Sequence, residues 1–240
     1  MSKRVSHSLL DPYVTLPLKA RYEWFRIPRW LPPEALVLMG HCGAIAAAFG
    51  LAWSTRSVWG GLVAAAGIAA NHLCDVLDGT HARRTGQCRN GGELLDHFTD
   101  PLSFAYYLCG IAVACGRLDL GLAAVICLFA TAVLTNIRAK LVGEFTLAPV
   151  GPTEFKTLLV AGSLTLSAAM AGWFPTGNPA PFLATGFTGL VAFGIIQLVV
   201  QLVRAVCEVN AKGKPADTTE WITVRVEDTG NRANSGHNAA

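Results

Sequence analysis

Charge is what this sequence has least of. Only 15% of its 240 residues are Asp, Glu, Lys or Arg, against 52% hydrophobic, and the mean hydropathy is +0.42. That balance excludes an ordinary soluble domain, because such a chain has too little polar surface to cover its core. Residues 157–203 carry no charge at all. Paired cysteines are missing too: Cys42, Cys74, Cys88, Cys109, Cys115, Cys127 and Cys207 are odd in number and irregular in spacing. This argues against both a disulfide framework and a cysteine metal site, and reads instead as small apolar packing. The first thirty or so residues lack an apolar h-region, so no cleavable signal peptide is expected. Internal repeats are absent, which removes solenoids and inverted-repeat transporters. No nucleic-acid partner is expected.

The charges that remain are concentrated. Between Asp75 and Asp100 the sequence reads DVLDGTHARRTGQCRNGGELLDHFTD, set between two long apolar runs. Asp75 and Asp78 are three apart, and Asp96 and Asp100 four apart, so each pair shares one helix face. If the flanking runs are antiparallel helices, the two pairs face each other at one membrane surface. Four clustered carboxylates would repel and resist desolvation. Hard divalent cations relieve both costs, since Mg²⁺, Mn²⁺ and Ca²⁺ prefer oxygen ligands and two ions could share the four acids. A solvated charged hairpin would account for charge here, but not for acids at helix-face spacing with Gly79 and Gly92 beside them.

The pattern Asp-x-x-Asp-Gly-x-x-Ala-Arg, eight residues, then Gly-x-x-x-Asp-x-x-x-Asp resembles the signature of the CDP-alcohol phosphotransferase family of membrane enzymes that make phospholipids. Asp75, Asp78, Gly79, Ala82, Arg83, Gly92, Asp96 and Asp100 fill every defining position. The resemblance implies metal-dependent transfer of a substituted phosphate from a CDP-linked donor to an alcohol, with release of CMP. Asp75, Asp78, Asp96 and Asp100 would be the metal ligands, for Mg²⁺ or Mn²⁺ and two ions. Asp75, Gly79, Ala82, Arg83 and Gly92 would contact the nucleotide, and Asp100 would also be a candidate base. Ala82–Thr85, Gly92–Leu94 with Asp96 and His97, and Gly151–Glu154 further resemble the choline/ethanolamine branch, whose histidine makes His97 a second candidate base. Asp100 is favoured, because it lies one turn beyond Asp96 whereas His97 is rotated by roughly 100°. The chain is shorter than usual for that branch and more like bacterial enzymes using CDP-diacylglycerol. Both donors, CDP-diacylglycerol or a CDP-aminoalcohol, therefore stay open, as do the alcohol acceptor and a homodimeric state.

In chain order, residues 1–34 mix Lys3, Arg4, Lys19, Arg21, Arg26 and Arg29 with Trp24, Phe25 and Trp30, which suits an interfacial arm on anionic lipid. Pro12 and Pro17 confine any helix there to about residues 18–27. Spans are expected at 35–53, 57–74, 92–115 and 120–137, with two more in 157–203 divided by Pro175, Gly177, Pro179 and Pro181. The fold class is thus all-α, with six transmembrane helices in a catalytic domain over 35–207. Pro101 is expected to kink the third. Residues 208–240 read as a polar, disordered tail with a strand-like patch at Trp221–Val226.

Every Lys and Arg except Arg56 and Arg117 falls on the side of the termini. The positive-inside rule puts that side, with the motif, in the cytoplasm, and the resemblance to bacterial enzymes of the family implies a bacterial inner membrane. Arg138, Lys140 and Lys156 lie on that side and are candidates for an acceptor's phosphate, although topology alone would put cations there. His41 and His72 read as packed polar residues. Asn71 and Asn136 could line the nucleotide pocket or bond between helices. A cation transporter and a non-catalytic family member are the alternatives; a transporter would spread its acids toward the midplane.

Overall fold

The computed structural model describes residues 3–147, 150–173, 177–215 and 218–220. A short strand β1 (Lys3–Ser6), helix α1 (Thr15–Ala20) and a 3₁₀ turn (Tyr22–Phe25) precede four long helices: α2 (Pro33–Trp53), α3 (Val58–Thr85), α4 (Asn90–Cys115) and α5 (Leu118–Val142). Strand β2 (Glu144–Leu147) then leads into α6 (Pro152–Met170) and α7 (Ala180–Lys212). The expected patch at Trp221–Val226 lies outside the described residues.

Among the described residues, α2, α3, α4, α5 and α7 are long and apolar enough to cross a membrane. The sixth expected span corresponds to α6, a 19-residue helix outside that group because its first turns carry Glu154 and Lys156. Two boundaries differ from expectation. The arm's helix starts at Thr15 and not near 18, because Pro17 falls in the first turn, where a missing N–H costs nothing. Helix α7 runs past Cys207 to Lys212, tied at its end by the Arg138–Glu208 ion pair. Helix α4 is continuous through Pro101.

Helices α2 and α3 cross where both are built of small residues. A Cβ at Gly67 would lie 2.5 Å from the Gly43 carbonyl oxygen and 2.8 Å from the Ala47 amide nitrogen. One at Gly110 of α4 would lie 2.5 Å from the Ala48 carbonyl oxygen. Backbones approach this closely only where side chains are absent, and dispersion between them holds the bundle in a lipid solvent. The buried core follows from these crossings, with Ala44, Ala47, Ala64, Ile68 and Tyr107 fully or almost fully covered. Asn71 adds a bond between helices, its Nδ2 donating to the Gly40 carbonyl at 3.1 Å.

The polar amino-terminal arm is sewn to the bundle. Strands β1 and β2 pair in parallel, Lys3 opposite Glu144. Glu154 Oε1 accepts from Ser8 Oγ (2.6 Å) and the Leu10 amide (2.9 Å), while Asp11 Oδ1 accepts from Thr153 Oγ1 (2.7 Å) and Thr15 Oγ1 (2.9 Å).

Gly67→Ala should lower the thermal midpoint of the purified protein, at a cost of about 1–3 kcal/mol, since no rotamer relieves a clash with backbone. Gly162→Ala, where an added Cβ meets nothing within 4 Å, should leave the midpoint unchanged or slightly raised. Thermal unfolding of both variants in detergent checks the pair.

Candidate active site

Helix α3 is about 42 Å long, more than a bilayer's apolar core of about 30 Å, so its last turns carry the polar motif beyond the apolar run. Antiparallel α4 begins with its own acids beside them. Asp75, Asp96 and Asp100 each offer a carboxylate oxygen within 4.8 Å of the others. Asp78 lines the same pocket of about 10 Å³ as these three, together with Asn71, Thr99 and Ser103. Its Oδ1 accepts from the Gly79 amide, and its buried Oδ2 has no hydrogen-bond partner among the described residues. A pocket of that size admits about one water-sized occupant.

Clustered acids need counter-charge, and Lys156 of α6 supplies part of it. Its ammonium donates to Asp75 Oδ2 at 2.7 Å, lies over the Phe104 ring and is 2% exposed. One ammonium does not balance the acids gathered here, and an orphaned carboxylate oxygen still faces the pocket. All-oxygen donors, convergent spacing and residual negative charge fit a hard divalent ion such as Mg²⁺ or Mn²⁺.

The acids of the small pocket also line a cavity of about 760 Å³. Asp75, Asp78, Gly79, Arg83, Asp96, His97 and Asp100 line it, so most of the motif faces one space. A Cβ at Gly79 would lie 3.2 Å from Arg83 Nη1, which shows that the glycine leaves room for the guanidinium. His97 packs against Phe145, with ring centroids 5.4 Å apart, and its Nε2 is 3.8 Å from Glu93 Oε1. Ala82 and Gly92 are half-buried and not among the lining residues; Gly92 sits near Glu34.

The three candidate acceptor cations have separate placements. Lys156 is committed to Asp75. Arg138 lines the cavity but pairs with Glu208 of α7, Nη2 to Oε2 at 2.7 Å. Lys140 is exposed and not among the lining residues. His41 hydrogen-bonds Tyr106 (3.3 Å), and Asn136 donates to the Ala132 carbonyl while lining the cavity. His72 also lines it, with its Nε2 buried and unpartnered among the described residues.

Sequence reasoning missed two walls of this cavity. One is the amino-terminal arm, through His7, Asp11, Thr15 and Lys19. The other is the polar stripe Gln197, Gln201, Arg204 and Glu208 on α7. Its spacing of four, three and four residues puts these groups on one face of an otherwise apolar helix, a signal present in the sequence. The arm carries no comparable signal, because strand pairing brings it there.

Fold and site together define a polytopic α-helical integral membrane protein with an acid-lined cavity at one end of the bundle. Residues 30–202 match the family model CDP-alcohol phosphatidyltransferase, and the chain belongs to that family. Human cholinephosphotransferase 1 is 32% identical over 115 residues, 45% of this chain and 27% of its own. Choline/ethanolaminephosphotransferase 2 of Arabidopsis thaliana is 31% identical over 121 residues, 47% of this chain and 31% of its own. These matches support the likeness to the choline/ethanolamine branch, although each spans less than a third of the relative. Mycobacterium tuberculosis phosphatidylinositol phosphate synthase, solved with CDP-DAG bound, shares the fold: TM-score 0.55 and 22% identity, covering 87% of this chain and 99% of that one.

If the acids hold a divalent ion, Mg²⁺ or Mn²⁺ should raise the thermal midpoint of the purified protein, by an amount equivalent to about 2.7 kcal/mol at a hundredfold excess over Kd. Asp75→Asn with Asp96→Asn should abolish that rise. An equal rise in the double variant would show that the ion binds elsewhere.

Proposed function

We propose that this chain transfers a substituted phosphate group from a CDP-linked donor to an alcohol, releasing CMP, in phospholipid synthesis. The observation that carries this reading is the convergence of Asp75, Asp96 and Asp100 from two helices, with Asp78 beside them, in the lining of a cavity of about 760 Å³. Displacement at phosphorus needs charge neutralisation and alignment more than covalent participation by the protein. A bound Mg²⁺ or Mn²⁺ would neutralise the donor's pyrophosphate and stabilise CMP as it leaves. Asp75, Asp78, Asp96 and Asp100 would hold it, with Lys156 keeping Asp75 in place. Gly79 and Arg83 would receive the donor, the guanidinium bonding a phosphate through two parallel N–H donors.

Asp100 is the favoured base for the acceptor hydroxyl, since it belongs to the acid cluster and also lines the cavity where an acceptor would lie. His97 lines the same cavity and is the competing candidate. The named relatives favour a CDP-aminoalcohol donor with a diacylglycerol acceptor. CDP-diacylglycerol with a polar alcohol is the second reading; the polar stripe of α7, which lines the same cavity as the motif, favours it. In either case we place the motif side in the cytoplasm, where nucleotide-linked donors are found.

A purified preparation incubated with Mg²⁺ or Mn²⁺ and a panel of CDP-linked donors should release CMP with one donor class, and chelation should stop it. Release unaffected by chelator, or none with any donor and acceptor pair, would sink the reading. The base is decided separately. Asp100→Asn should lose turnover while retaining donor binding, and His97→Ala should keep most of its turnover. The reverse pattern would transfer the role to His97.

A further inference from the structure

A further pocket lies where the segment that joins the arm to α2 meets the end of α3. It has a volume of about 80 Å³ and is lined by Arg26, Arg29 and Arg84 with Tyr22, Glu23 and Thr85. Three guanidinium groups against one carboxylate leave it net positive. Glu23 pairs with Arg84, and the Arg84 guanidinium also stacks on the Tyr22 ring, 4.9 Å from its centroid. Arg26 and Arg29 are exposed, with no ion pair among the described residues.

The pocket is built, not a chance gathering of surface arginines. Buried His81 clamps its base: Nε2–H donates to the Leu31 carbonyl at 2.9 Å, and Nδ1 hydrogen-bonds the Tyr22 hydroxyl at 2.6 Å. Gln87 Nε2 donates to the Arg29 carbonyl at 2.8 Å, holding the far end of the loop to the end of α3. Arg26 turns the chain with φ +46°, in the left-handed region, directly after the 3₁₀ turn. These ties fix the backbone that presents the arginines, so little ordering cost remains when a ligand binds.

Position identifies the ligand. Arg84 lies six residues beyond Asp78 on α3, about 9 Å further along the helix axis and past the apolar run. Trp24 (76% exposed) and Trp30 (79%) flank the pocket in sequence, with Phe25 beside them. Tryptophans favour the membrane–water interface, and arginines bond phosphate through paired N–H donors. We propose that this pocket seats the phosphate of an anionic membrane lipid, with Trp24 and Trp30 set among the neighbouring headgroups. The proposal is independent of the transfer reaction, because none of these groups lines the acid-lined cavity.

Native mass spectrometry of the full chain in detergent, with added phosphatidylglycerol or phosphatidylcholine as probes, tests it. Arg26→Gln with Arg29→Gln should cut phosphatidylglycerol occupancy about tenfold, as expected for loss of charge-assisted bonds, and leave phosphatidylcholine unchanged. Arg26→Lys with Arg29→Lys, which keeps the charge but loses the paired donors, should bind more than the Gln variant and less than wild type. Lys212→Gln with Lys214→Gln, distant in sequence, should behave as wild type. Unchanged phosphatidylglycerol occupancy in the Gln variant would overturn the proposal, as would an equal loss in the lysine control. Displacement of the lipid by millimolar inorganic phosphate would also overturn it, marking a site for soluble phosphate instead.

Discussion

Four aspartates held at the junction of two membrane helices are the constraint around which this molecule is arranged. Acids at that depth are tolerated only if something offsets their mutual repulsion and their loss of water. Part of the answer is internal: Lys156 reaches from α6 to Asp75 and gives up its own hydration to do so. A buried pair of this kind is poor evidence for stability, because desolvation consumes much of the Coulombic gain. Its value is positional. It fixes Asp75 relative to α6 while Asp78, Asp96 and Asp100 keep oxygen atoms turned toward a common pocket.

The small-residue crossings serve the same end. Gly43, Gly50 and Gly67 bring α2 and α3 together at backbone distance, and Gly110 does the same for α2 and α4. With both partners seated on α2, the two motif helices have little freedom to slide, and a displacement of an ångström at the carboxylates would spoil their convergence. The hydrogen bond from Asn71 to the Gly40 carbonyl sits one helical turn from Asp75 and ties the packing interface directly to the site.

The amino-terminal arm has two attachments of different character. Near its start, Ser8, Leu10 and Asp11 bind the first turn of α6, the Thr153–Glu154 segment, and the arm becomes a wall of the acid-lined cavity. Nearer α2, Tyr22 and Leu31 bind His81, and the arm becomes a basic, tryptophan-flanked surface. His81 stands three residues after Asp78 and two before Arg83, so one buried imidazole links the arm to the helix that carries both.

The sequence by itself determined the class of fold, the positions of the long helices and the identity of the acid cluster. All of these are local or periodic signals: uncharged runs long enough to span, acids at helix-face spacing, glycines at fixed offsets. It left open what Lys156, Glu154 and Asp11 do, because each acts on a partner far away in the chain, and a lone lysine reads the same whether it satisfies topology or a carboxylate. It also left unassigned the parallel pairing of Lys3–Ser6 with Glu144–Leu147, since neither four-residue strand has a periodicity that stands out from a loop. Only the tertiary structure decided that an arm, two crossings and a buried ammonium enclose the four acids, because proximity between distant segments is set by packing and not by any pattern within them.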